Sequence, residues 1–106
     1  SKYVNVVFRK AKVLEKICDD FKEAEDSYKT YNKKHSDLRK YELELAKARI
    51  DIAKVVKNTN PIQAKEELKI ARVIFERENM QKEIDFVDFL LSEVWKTINT
   101  MISPKD

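Results

Sequence analysis

From Tyr3 to Val55 the apolar residues recur every three or four positions. Val4, Val7, Ala11, Leu14, Cys18, Phe21, Ala24, Tyr28, Tyr31, Leu38, Leu45, Ala48, Ile52 and Val55 share one stripe, with the polar His35 in the same seam. That spacing is the signature of an amphipathic helix. The stripe keeps its phase, so the pattern predicts one helix over about residues 2–57, on the order of 80 Å long at 1.5 Å per residue. The polar stretch from Asn32 to Asp37 is the weak point, and Ser36 or Asp37 has the chemistry of an N-cap. A break there, giving three helices in all, is the competing expectation.

The clear interruption is Lys57-Asn58-Thr59-Asn60-Pro61. Pro61 fixes its own φ and pushes Asn60 out of the α region. Thr59 and Asn60 can each cap a following helix, and proline is favoured in a first turn. Beyond this tip, Ala64, Leu68, Ala71 and Phe75 begin a second seam. It pauses at Glu76-Arg77-Glu78-Asn79 and resumes as Ile84, Val87, Leu91, Val94, Ile98 and Met101, widened by Phe86, Phe89, Leu90 and Trp95. The fold expected is therefore all-α: a long antiparallel helical hairpin or coiled coil in one domain, residues 1–106. Its arms are about 2–57 and about 62–102, with the tip at 58–61. The arms differ in length, so the start of the first helix has no partner in an antiparallel hairpin. Val4, Val7, Phe8, Leu14 and Phe21, with Phe89 and Trp95 on the broad later face, are then the candidate surface for self-association or for a helical protein partner. A dimer is expected.

Composition narrows the function classes. There is no glycine, which removes phosphate-cradling loops and the usual helix terminators, and 39% of the residues are charged. Cys18 is the single cysteine, so neither an internal disulfide nor a thiolate metal cluster is available. No apolar run approaches a membrane span and no signal-peptide pattern opens the chain, which points to a cytoplasmic protein. The first residue is Ser, as in an excised or processed piece.

Catalytic chemistry finds no footing. His35 is the only histidine, and no nucleophile–base pair has a spacing logic. The carboxylates Asp19, Asp20, Glu23, Glu25 and Asp26 interleave with Lys16, Lys22 and Lys29, as on a solvated helix face, and lack the Glu-x-x-His pattern of di-metal bundles. We expect no enzyme, metal or cofactor. The aromatic residues follow the core stripe, so nucleic acid is not an expected partner.

Charge is more informative. Between Lys47 and Arg72 seven basic residues (Lys47, Arg49, Lys54, Lys57, Lys65, Lys69 and Arg72) face only Asp51, Glu66 and Glu67. From Glu76 to Glu93 six acids outnumber Arg77 and Lys82. A basic tip on an acidic shaft suits contact with an anionic phospholipid surface, at about 1 kcal/mol per engaged Lys or Arg. These seven residues are the candidate lipid-binding set.

The same residues carry a family resemblance. The segment from Asp37 to Lys54 resembles the second long helix of BAR domains of the endophilin type, with Ala46, Lys47, Arg49, Ala53 and Lys54 filling a run of the form AKxRxxxAK that leads to the tip. The stretch from Asn60 to Leu68 resembles the start of the third helix, and Phe75-Glu76-Arg77 a later step of it. The chain is too short for a complete member and is expected to be a shortened or partial one. The resemblance implies a curved helical dimer, peripheral to membranes, that binds anionic lipid through basic residues and serves endocytosis or membrane trafficking. A structural coiled-coil or small-bundle adaptor for another helical protein is the alternative.

Overall fold

The computed structural model describes the backbone of residues 2–27 and 32–102, with the side chains of residues 3–23 and 36–102. Within that range every element is helical: α1 (Lys2–Ser27), α2 (Asn32–Val56), α3 (Pro61–Arg77) and α4 (Gln81–Ile102). The all-α expectation holds, but each expected arm is two helices. Asn32 to Asp37, where the three-helix alternative placed its break, are the first turns of α2. Residues 28–31, with the Tyr28 and Tyr31 seam positions, and the side chain of His35 lie outside the described residues.

A stripe in constant phase can be buried by folding back as readily as by running on. Val7, Ala11, Leu14 and Cys18 of α1 join Leu38, Leu45, Ala48 and Ile52 of α2 in one core. The cross-links Glu15–Arg49 and Lys22–Glu42, with Phe21 stacked on Tyr41 at 5.6 Å, fix an antiparallel register. This corrects the reading of α1 as an unpartnered start. Val7 and Leu14 are buried within the chain, and Val4, Phe8 and Phe21 are half-buried.

The turn between α2 and α3 is built from local hydrogen bonds. The amides of Thr59 and Asn60 donate to the carbonyl of Val56 at 3.0 and 2.7 Å. Asn60 caps α3 by accepting from the amide of Gln63 at 3.2 Å, and Pro61 occupies the first helical position, where its missing N–H costs nothing. The seam residues Ala64, Leu68, Ala71 and Phe75 are fully buried and form the centre of the fold.

α3 ends in a Schellman motif. The amide of Met80 donates to Phe75 and that of Asn79 to Glu76, at 2.9 and 3.1 Å, while Asn79 takes the left-handed conformation with φ of 57°. Glycine usually fills that position, and this chain has none. Asparagine is the other residue that reaches it routinely. Met80 packs on the core that contains Phe75, completing the motif's apolar contact. The apparent pause in the second seam is thus a full stop and reversal.

The helices pack in sequence: α1 on α2, α2 on α3, α3 on α4, with no other pair packed to a comparable extent. The result is an open array of 61 × 31 × 20 Å. Because the array does not close on itself, its outer helices keep large apolar side chains exposed, Val6 and Val13 on α1 and Phe86, Phe89 and Trp95 on α4.

Candidate functional site

The antiparallel registers bring four chain segments to one end of the molecule. Extending the Glu15–Arg49 level along α1 and α2 sets Tyr3 beside the α2–α3 turn. On the other side Arg72 meets Asp88 and Lys65 meets Trp95, which carries the last turn of α4 to the same place. There Thr59, Asn60, Pro61 and Ile62 line a shallow apolar hollow of about 190 Å³ with Ile98, Met101 and Ile102.

Among the described residues this end has no carboxylate. Residues 3–14 of α1, 52–65 of α2, the turn and α3, and 94–102 of α4 contain neither Asp nor Glu. The acids resume at nearly one level, at Glu15, Asp51, Glu66 and Glu93. Within these acid-free stretches stand Arg9, Lys10, Lys12, Lys54, Lys57, Lys65 and Lys96. Lys57 is half-buried beside Ala53, Leu68 and Val94, while Arg9, Lys10, Lys12, Lys54 and Lys96 are exposed.

The seven sequence candidates separate on this background. Lys57 and Lys65 belong to the acid-free end, whereas Lys54, although close to the turn in the chain, carries its ammonium back over Phe86 in the acidic part of α4. The Lys54 ammonium sits 5.0 Å from the ring centroid of Phe86, and that of Lys65 5.1 Å from Trp95. Both are cation–π contacts, which hold the cation near the surface without neutralising it. Lys65 also lies 3.8 Å from Glu66.

The other four stand farther from the turn. Lys69 is exposed in the middle of α3, and Lys47 lies 3.8 Å from Glu44. Arg49 and Arg72 are committed inside the fold. Arg49 is half-buried and donates to Glu67 at 2.6 Å and to Glu15 at 3.3 Å, tying α2 to α3 and α1. Arg72 grips Asp88 with two donors, at 2.7 and 3.1 Å, and reaches Glu76 at 2.6 Å. The hydrogen bond from Arg72 holds the Asp88 carboxyl below the usual range, as a committed pair does. These two arginines cross-link helices, which the sequence reading of them as tip cations did not foresee. It also missed Arg9, Lys10, Lys12 and Lys96, which join the basic end only through helix packing.

The far half of the molecule is knitted by opposite charges. Arg39 donates two hydrogen bonds to Glu78, and Arg77 reaches both Glu78 and Glu42. The hydrogen bond from Arg39 is the main cause holding the Glu78 carboxyl below its ordinary value. Phe89 and Trp95, two of the candidate interface residues, are exposed on α4 at 57% and 45%.

Among the described residues no group of three His, Cys, Asp or Glu side chains is placed to hold a metal ion. Cys18 is buried in the α1–α2 seam, where burial pushes its thiol up, away from the reactive thiolate. No described helix is long and apolar enough to cross a membrane. The chain matches no protein-family model, no curated protein and no solved structure.

Proposed function

We propose that this chain is a non-catalytic helical module that binds anionic membrane surfaces through the end formed by the α2–α3 turn. The observation that carries the reading is that, among the described residues, no carboxylate stands at that end on any of the four helices. Scattered lysines are common on helical surfaces, but here the acids that elsewhere offset them stop at one level. Each basic residue held near anionic lipid contributes about 1 kcal/mol. Four or five engaged together give useful, salt-sensitive binding. The exposed Ile62, Met101 and Ile102 at the same end favour a lipid surface over nucleic acid, whose partners pair cations with exposed stacking aromatics.

Of the BAR-like expectation, this proposal keeps anionic-lipid recognition near the tip. It does not require the dimeric crescent, because the basic end is complete within one chain. A second reading, an adaptor for a helical protein, rests on a different observation: Phe89 on α4 is 57% exposed, with Phe86 partly exposed near it. Such a face fits a helix-in-groove or helix-on-helix contact.

Cosedimentation with vesicles separates the two. The membrane reading expects binding to phosphatidylserine-rich vesicles at low salt, weaker binding at high salt, and little binding to purely zwitterionic vesicles. Absence of binding at low salt would move the function to the α4 face.

A further inference from the structure

We propose that the basic end does not merely rest on the headgroups but enters the membrane, with Ile62, Met101 and Ile102 forming an apolar cap that inserts among the acyl chains. The inference rests on the membrane reading above and adds a second, salt-resistant component to it. The three side chains are 53%, 62% and 72% exposed, come from two different helices, and surround one apolar hollow beside the α2–α3 turn. Scattered single apolar residues on a surface need no explanation, but a cluster rimmed by polar and charged groups marks an interaction site.

The charge around the cap selects the occupant. An apolar protein partner would accept either sign at the rim, whereas the described stretches that carry the cap, 52–65 and 94–102, hold Lys57 and Lys96 close to it in the chain and contain neither Asp nor Glu. That combination matches an apolar interior beneath an anionic surface.

The aromatic placement agrees in depth. Trp95 precedes Ile102 by seven residues, which puts it roughly 10 Å back along α4. Interfacial segments bury their apolar faces by about 5–10 Å, and tryptophan concentrates at the headgroup level. Trp95 therefore comes to rest at the interface when the cap is submerged. Lys65, lying over its ring, is held at the height of the lipid phosphates.

Trp95 is the only tryptophan in the chain and so reports its own depth. The test compares the wild-type chain with an Ile62→Ser, Met101→Ser, Ile102→Ser variant on phosphatidylserine-rich vesicles, some carrying brominated acyl chains. All three positions are exposed, so the variant keeps its helical circular-dichroism signal. The wild type is expected to show a blue-shifted Trp95 emission, bromine quenching, and a bound fraction that survives high salt. The variant is expected to bind at low salt, to lose the quenching, and to lose at least about tenfold in affinity at high salt. A variant that matches the wild type in both readouts overturns insertion while leaving headgroup binding intact. A wild type that binds no anionic vesicle overturns both readings.

Discussion

Replacing Phe75 by alanine is expected to cost about 3–5 kcal/mol of folding stability, the largest single-residue effect in the chain. Phe75 has no exposed surface and is the largest side chain buried so completely. It stands where α3 ends, its carbonyl accepting the Met80 amide that closes the Schellman turn into α4. An alanine there leaves a ring-sized cavity between elements already fixed by that turn, and the helices cannot collapse into it without breaking the hydrogen bond. Since a domain of this size holds only about 5–15 kcal/mol in total, the variant is expected to unfold at far lower urea, or not to fold. Val73→Ala, on the same helix but 63% exposed, is the control and is expected to change stability by less than about 0.5 kcal/mol. A Phe75→Ala loss below about 1 kcal/mol would mean that the α3–α4 packing described here is wrong.

The second large effect concerns binding. Reversing the exposed Arg9, Lys10, Lys12 and Lys96 to glutamate is expected to lower affinity for anionic vesicles at low salt by at least about a hundredfold. Four lost contributions of about 1 kcal/mol each exceed that figure, and the new acids add repulsion. Lys65 is left in place because it packs over Trp95, where a carboxylate would disturb the fold as well as the charge. Lys40→Glu together with Lys47→Glu is the matched control, since both exposed lysines stand beyond the level at which the acids resume. It is expected to keep most of the binding. Equal losses in both variants would show that overall charge, rather than this end, is what the lipid senses.

The sequence showed more of the core than of the surface. The α2–α3 turn was legible because Asn60-Pro61 carries two local signals, a cap and a fixed φ, that act without help from distant residues. The seam of α3 was legible for a similar reason, as Ala64, Leu68, Ala71 and Phe75 keep strict helical spacing. The reversal between α1 and α2 was not. Its flanking stripes share one phase, so periodicity cannot distinguish a straight helix from a hairpin, and the polar residues Asn32 to Asp37 drew the expected break too late. The α3–α4 reversal was hidden because its terminator is Asn79 in a chain without glycine.

The candidate site divides along the same line. Lys57 was legible as a tip residue because it lies close to the turn in the chain itself. Arg49 and Arg72 were read as surface cations because their partners, Glu15, Glu67 and Asp88, are on other helices and the pairing exists only once the helices pack. Arg9, Lys10, Lys12 and Lys96 were overlooked for the converse reason. They are distant from the tip in sequence, and only the antiparallel registers gather them at one end. Ile62 stands just after Pro61 and off the α3 seam, a signal present in the sequence but without meaning until Met101 and Ile102 arrive beside it.

The central claim is that one particular end of the molecule meets the lipid, and a pair of environment-sensitive labels tests it most directly. A thiol-reactive dye is placed at Asn58→Cys in the α2–α3 turn or at Ser36→Cys near the start of α2, both exposed positions. The native Cys18, buried and with its thiol pushed up, reacts slowly by comparison. On adding phosphatidylserine-rich vesicles at low salt, the label at position 58 is expected to brighten and shift to the blue while the label at position 36 stays unchanged. A response at position 36 alone, or equal responses at both positions, would contradict the account.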